Sequence, residues 1–279
     1  MSIRPKIPHH PLAWAKEDAA PLQQACCLNC GAPQLGPYCH ACGQPFREGR
    51  LTLRSLWRDV AAPFFQMDRG LLRTLRDMLV NPGRVIRRYV DGQRRRYVNP
   101  FTYLFGGAAA SLISFSLLHD AFTHWVQQTV AASAARVPQL LPPEKAELFA
   151  QLDLKLAQYN AYTMLLIALP FALLLRLFFK KQQINLAESF VFALFCFGHV
   201  LFLNSVSNLT LVHFISDFRL LMLVSLGLYP LVIGYAAVVF FRERPVLSTL
   251  KALSAFGLSY AGFSVLAGVI LFGYVLFFT

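Results

Sequence analysis

Five stretches of this chain, at about 101–119, 160–179, 187–208, 219–241 and 253–277, run for roughly 20 residues each with few charges. That length crosses a hydrocarbon layer about 30 Å thick as an α-helix. Hydrocarbon offers no water to unpaired backbone groups, so only helices or closed barrels cross it. The five runs therefore predict an all-α integral membrane protein built on a five-helix transmembrane bundle. The composition agrees. Hydrophobic residues make up 56% of the 279 residues, charged residues only 14%, and mean hydropathy is +0.48. An ordinary globular protein is about 25% charged.

The net charge of +12 is unevenly spread. Residues 1–100 hold 16 Lys/Arg against 7 Asp/Glu, and residues 101–279 hold 10 against 7. The first 25 residues carry Pro5, Pro8, Pro11 and Pro21 with scattered charges and no apolar core segment, so they read as a flexible tail rather than a signal peptide. The organisation that follows is a tail over 1–24, a small cysteine unit over 25–46, basic amphipathic helices over 50–98, and the bundle over 99–279.

The cysteine unit holds two pairs, Cys27-x-x-Cys30 and Cys39-x-x-Cys42, each followed by glycine, Gly31 and Gly43. Two residues between ligands let one tight turn aim both sulfurs at one ion, and the glycine allows a left-handed turn that points backbone N–H groups at the thiolates. Four cysteines at this spacing specify a closed tetrahedral zinc site, a zinc ribbon in which Zn²⁺ is structural because no position is left for water or substrate. Such a site folds a segment too small to fold alone. Two disulfides or free thiols are the alternatives, and disulfides need an oxidising compartment. Cys26 is a substitute ligand of poorer spacing, His40 a bystander, and Cys196 lies in an apolar run as a lipid-facing or core residue.

Three short helices are expected between the ribbon and the first span. Leu53, Leu56, Trp57, Val60 and Phe64 fall at helical spacing, with Thr52 as a cap. Asp68 opens a second helix with Leu71, Leu72, Leu75 and Leu79 on one side and Arg73 and Arg76 off that stripe. Asn81-Pro82-Gly83 breaks it. A third helix carries Val85, Ile86, Tyr89 and Val90 and stops at Gly92. Arg84, Arg87, Arg88, Arg94, Arg95 and Arg96 cluster just before the first span, and basic amphipathic helices beside a span suit an interface with anionic lipid of the bilayer. A solvated helical face with stop-transfer arginines is the plainer reading. No nucleic-acid module accompanies the arginines, which argues against nucleic acid as a partner.

These residues also carry a resemblance. Cys27-Leu28-Asn29-Cys30-Gly31 and Tyr38-Cys39-His40-Ala41-Cys42-Gly43-Gln44 are followed by Leu51-Thr52-Leu53, Phe64-Phe65, Asp68-Arg69-Gly70, Asn81-Pro82-Gly83, Ile86-Arg87-Arg88-Tyr89, and Gly92, Arg95, Tyr97 and Pro100-Phe101. Over roughly residues 27–105 the chain resembles an uncharacterised bacterial family of multi-spanning membrane proteins with an N-terminal zinc ribbon, a domain of unknown function. The resemblance implies an inner-membrane zinc-ribbon protein and no established activity.

The loops alternate in charge. The N-terminal region is basic. The first loop sets Arg136, Lys145 and Lys155 against Asp120, Glu144, Glu147 and Asp153. The second carries Arg176, Lys180 and Lys181, the third only Arg219 beside Asp217, and the fourth Arg242, Arg244 and Lys251. By the positive-inside rule this predicts five spans with the C-terminus outside and the N-terminus in the cytoplasm, where the thiols stay reduced. In the first loop, Pro143 could open an amphipathic helix bearing Leu148, Leu152, Leu156 and Tyr159.

The third span holds the polar residues: Glu188, Ser189, Cys196, His199, Asn204, Ser205, Ser207 and Asn208. Glu188 and His199 share a face about 16 Å apart along the axis, too far to touch. They are candidates for a polar path, against a plainer reading in which Glu188 sits at the cytoplasmic interface and His199 hydrogen-bonds between helices. Gly106, Gly107 and Ala108 in the first span, and Gly257, Ala261 and Gly268 in the fifth, form small faces for close helix contact, which leaves self-association open. No nucleophile elbow, P-loop, dinucleotide fingerprint or metalloprotease helix is present. The sequence points to a non-enzymatic scaffold, recruiter or sensor at the cytoplasmic membrane face with a cytoplasmic protein partner. The alternative is a transporter or lipid-handling protein that uses the third span's polar face.

Overall fold

A computed structural model describes residues 26–46, 50–60, 68–120, 123, 160–212, 214 and 218–277. The N-terminal tail and the helix expected after Pro143 lie outside these residues, as do His213 and Asp217. The described chain is all helical, with no strand beyond two isolated bridges in the cysteine unit.

Among the described residues, three short helices, α1 (Leu53–Val60), α2 (Asp68–Val80) and α3 (Pro82–Val90), precede five long ones. The long helices are α4 (Pro100–Leu117), α5 (Asn160–Phe178), α6 (Leu186–Leu211), α7 (Phe218–Phe241) and α8 (Pro245–Phe277). Local chemistry sets many of their ends. Thr52 Oγ1 accepts from the Ser55 N–H at 3.1 Å, capping α1. Asn81 and Asn99 cap α3 and α4, and a proline follows each at the first helical position, where a missing N–H costs nothing. Gly92, at φ +108, takes the left-handed turn that ends the α3 region. Asn185 and Glu188 form a reciprocal capping box at the start of α6.

Among the described residues, four helices are long and apolar enough to cross a membrane: α4, α6, α7 from Leu223, and α8 to Tyr274. This is the mark of a membrane protein by length and composition. The remaining expected span is α5, whose apolar part, Tyr162–Phe178, is shorter than the other four. The last span begins earlier than expected. α8 already starts at Pro245, and Lys251 is accommodated inside the helix by pairing with Glu243, just before it, at 2.8 Å and by lying over the Phe179 ring.

α6 is the centre, buried without interruption from Ala187 to Leu201 and packed by α4, α5 and α7. The α4–α6 crossing is close: Gly107 faces the Gly198 backbone, as the small-residue face predicts. At α8 that expectation is not met. Gly257 and Gly268 meet nothing within 4 Å among the described residues. Phe179 stacks on Phe241, with centroids 3.6 Å apart, and Phe192 packs on both Phe240 and Phe241. Together with Phe101 against Phe190, these contacts gather the starts of α4, α6 and α8 and the ends of α5 and α7 at one end of the bundle. The short helices and the cysteine unit sit at that same end.

Candidate metal centre

The cysteine unit is one turn used twice. Gly31 N–H donates to the Cys27 carbonyl and Gly43 N–H to the Cys39 carbonyl, both at 2.8 Å. Cys27 N–H donates to Ala32 and Cys39 N–H to Gln44, again at 2.8 Å. Gly31 and Gly43 stand at φ +77 and +70, the left-handed region that only glycine enters freely. Antiparallel bridges Cys26–Pro33 and Tyr38–Pro45 close each turn. Every feature recurs twelve residues on. This short repeat lies inside the cysteine spacing itself.

The two turns face each other and bring four sulfurs together. Sγ of Cys27 lies 3.5 Å from Sγ of Cys42, and Sγ of Cys30 lies 3.4 Å from Sγ of Cys39. All four lie within 4.8 Å of one another, and the cysteines are free of disulfides. Four sulfurs at about 2.3 Å from one ion, at the corners of a tetrahedron, stand about 3.8 Å apart. The donor set therefore fits one tetrahedral metal ion. Cys26 and His40 are exposed and lie outside the cluster.

Without an ion the thiols share protons unequally. Burial pushes Cys27 up. Cys30, despite a backbone N–H from Ala32 that favours its thiolate, is pushed up to about 12 by desolvation and by thiol contacts with Cys39, Cys42 and Cys27. For Cys39, burial is outweighed by backbone N–H groups of Cys42 and Ala41 and by the Cys30 and Cys42 thiols, which pull it down to about 6. A metal cation replaces this proton sharing with four thiolates.

Both turns rest on the loop after α3. Gln44, buried, donates from Nε2 to the Gly92 carbonyl at 2.7 Å and accepts from the Arg95 N–H at 3.4 Å. Asn29 Oδ1 accepts from the Arg96 N–H at 3.1 Å. Leu28 covers Gly92 so closely that a Cβ there would fall 2.6 Å from its Cδ1. Sequence spacing gave no sign of Gln44 and Asn29 in this role; each simply neighbours a ligand.

The arginine cluster is largely engaged within the chain. Arg87 donates to the Phe240 carbonyl at the end of α7, lies over the Phe240 ring, and pairs with Asp91 at 3.3 Å. Arg88 donates to the Tyr97 hydroxyl at 3.5 Å. Arg96 lies 3.7 Å from Asp77 and over Tyr97, while its N–H and that of Arg95 hold the cysteine unit. Arg94 is half-buried and Arg84 exposed.

A second latch joins the short helices to the bundle. Arg50 grips Glu188 with two donors, Nε to Oε1 at 2.8 Å and Nη2 to Oε2 at 3.0 Å, and also donates to the Gln183 carbonyl. The Glu188 hydrogen bond holds the Arg50 guanidinium above its ordinary value. Asn185 Nδ2 donates to the Leu51 carbonyl at 2.8 Å. Glu188 thus completes the capping box at the start of α6 and holds Arg50 there. The Asn-x-x-Glu pattern was the signal for this, and the sequence reading passed over it. Eleven residues further, His199 is buried and shares a 2.9 Å hydrogen bond through Nδ1 with the Tyr103 hydroxyl of α4. Cys196 is in the core. Asn204 is buried, and its Oδ1 has no hydrogen-bond partner among the described residues.

Fold and site together define a helical membrane-type chain that carries a tetracysteine cluster clamped to one end of its bundle. A family model described as a protein of unknown function (DUF3667) matches residues 68–112, which cover α2, α3, the arginine loop and most of α4. No curated protein and no solved structure matches the chain.

Proposed function

We propose that this chain is a five-span protein of the bacterial inner membrane, with its N-terminus and headpiece in the cytoplasm and its C-terminus outside. The headpiece carries a structural zinc ribbon and serves as a non-enzymatic scaffold, recruiter or sensor. The carrying observation is the pairing of a closed tetracysteine cluster with direct anchoring to the bundle: all four donors are protein sulfurs, and Gln44 and Asn29 tie both turns to the arginine loop. A closed site organises structure and leaves no position for substrate. The basic residues Arg176, Lys180, Lys181, Arg242, Arg244 and Lys251 belong to the bundle end that carries the headpiece, which supports the cytoplasmic assignment.

The test is metal content together with topology. Native mass spectrometry of the detergent-purified chain is expected to show one zinc ion, lost in Cys27→Ser and retained in Cys26→Ser. A reporter fused at the N-terminus is expected to be active only in the cytoplasm, and one fused at the C-terminus only outside. A chain without metal, or with both ends on one side, overturns the proposal. Pull-down with and without residues 25–46 then asks for a protein partner, whose loss together with loss of insertion would sink the recruitment role.

The transport reading rests on Asn204, with its unpartnered buried oxygen. His199, its other element, already has a partner in Tyr103. The scaffold reading therefore stands first.

A further inference from the structure

One helix of the headpiece does not bury its apolar surface in protein. The leucines of α2 divide into two sets. Leu71, Leu75 and Met78 turn inward onto the core. Leu72 and Leu79, seven residues apart on one side of the helix, are 70% and 58% exposed. The sequence pattern placed all four leucines on one face, but the bundle takes only half of them. Next around the helix come Arg76 and Arg73, both exposed. Then comes Asp77, which faces Arg96, and Thr74, which accepts from the Val98 N–H. The order around the axis is protein, bare leucine, arginine, headpiece.

The depth of this helix is fixed at both ends. A Cβ at Gly106 would lie 3.7 Å from Leu71 Cδ1, so Leu71 packs at the sixth residue after Pro100. At the other end the Tyr235 hydroxyl donates to the Val80 carbonyl at 3.1 Å, and Tyr235 lies six residues before Phe241. Both anchor points are about 9 Å inside the ends of their spans, by the rise of an α-helix. Amphipathic interfacial helices sit about 5–10 Å into the boundary between headgroups and acyl chains.

We infer that α2 lies in the plane of the membrane on the headpiece side, with Leu72 and Leu79 among acyl chains and Arg73 and Arg76 among anionic headgroups. This deepens the membrane reading and rests on it. The partner is the bilayer surface itself, and the residues that meet it differ from Arg87, Arg88 and Arg96, whose side chains hold the protein together. Each arginine near an anionic surface favours that contact by about fivefold.

The experiment uses the full chain, zinc-loaded, with Cys26→Ser and Cys196→Ala to leave the four ligands as the remaining thiols. Bimane is attached to Leu72→Cys, Leu79→Cys or the span control Leu231→Cys in phosphatidylcholine–phosphatidylglycerol nanodiscs. The expected result is quenching of positions 72 and 79 by brominated acyl chains to an extent comparable with position 231, and shielding from aqueous iodide. Iodide quenching at 72 and 79 with bromine quenching at 231 overturns the inference and leaves the spans intact. Iodide quenching at all three overturns the spans as well. Insensitivity of 72 and 79 to both quenchers means that protein covers them, which also overturns it. Raising the phosphatidylglycerol fraction is expected to deepen bromine quenching at position 79, and Arg73→Gln/Arg76→Gln to abolish that gain. Indifference to phosphatidylglycerol overturns the headgroup assignment.

Discussion

Substituting alanine for Gly107 tests the closest contact in the bundle. A Cβ at this position would lie 2.5 Å from the Gly198 carbonyl oxygen and 3.1 Å from Leu201 Cβ. Comfortable separation is roughly 3.5 Å, so the two helices must part by about 1 Å. The carbonyl is backbone and cannot rotate away as a side chain would. A gap of that size forfeits a quarter to a half of each dispersion contact along the α4–α6 seam. Overpacking of this kind costs about 1–3 kcal/mol, against which alanine in a helix returns up to about 1 kcal/mol. The expected net loss is up to about 2 kcal/mol. Gly257→Ala is the control, since it lies in α8 with nothing within 4 Å among the described residues. It keeps the propensity gain without the clash, so the two variants should differ by the overpacking cost alone, about 1–3 kcal/mol, roughly 5- to 150-fold in the unfolding equilibrium. Unfolding by sodium dodecyl sulfate in mixed micelles, followed by circular dichroism, measures both. Gly198→Ala should resemble Gly107→Ala, because its Cβ would sit 2.9 Å from Tyr103 Cδ1 and 3.0 Å from the Leu104 backbone. The double variant should cost less than the sum, since one separation of the helices relieves both clashes. Equal stability of Gly107→Ala and Gly257→Ala would refute the packing argument.

Other outcomes follow from the clamp and the latch. Zinc uptake at pH 7 should release protons, because Cys27 and Cys30 are held above the ordinary thiol value and must ionise to bind; affinity should then rise with pH, as calorimetry in buffers of different ionisation enthalpy will show. Gln44→Ala should leave zinc stoichiometry intact but cost about 1–3 kcal/mol, by stranding the Gly92 carbonyl, and should speed amide exchange at Arg95 and Arg96. Arg50→Ala, discounted for its 37% exposure, should cost roughly 1 kcal/mol, and Arg50→Ala with Glu188→Gln less than the sum of the two, in a double-mutant cycle by detergent unfolding. Tyr103→Phe should cost about 0.5–2 kcal/mol by breaking the buried bond to His199, with the imidazole resonance shift as the second readout.

How much of this was legible depended on the range of the interaction. The cysteine spacing is a local code, and the four sulfurs gather as it specifies; the break at Asn81-Pro82-Gly83 is another, and it falls where α2 gives way to α3. The face of α2 was misread because periodicity locates a stripe but not what covers it; α4 takes Leu71 and leaves Leu72 bare. The start of α8 was misread because Lys251 looks like a loop charge until Glu243 and the Phe179 ring neutralise it. Gln44, Asn29, Arg50 and Tyr103 were overlooked as contacts because their partners lie 48 to 138 residues away. No local pattern encodes a contact of that range.

The 68–112 stretch gains physical meaning from these long-range contacts. At its centre the backbone of Gly92, Arg95 and Arg96 receives both turns of the cysteine cluster. Before it, Gly83 packs so closely on the Ala236 backbone that any Cβ would collide, and Arg87 caps the Phe240 carbonyl. After it, Gly107 meets Gly198 in the core. α6 and α7 meet this segment backbone to backbone at Gly107 and Gly83, contacts that a change of rotamer cannot absorb, while the cysteine unit holds its backbone through the Gln44 and Asn29 side chains. A movement of the cluster therefore acts first on the loop that joins α3 to α4 and that also holds α2 through Asp77 and Thr74. Glycine at 83, 92 and 107 is what lets one 45-residue segment touch all three, and substitution at any of them should loosen the headpiece and the bundle together rather than either alone.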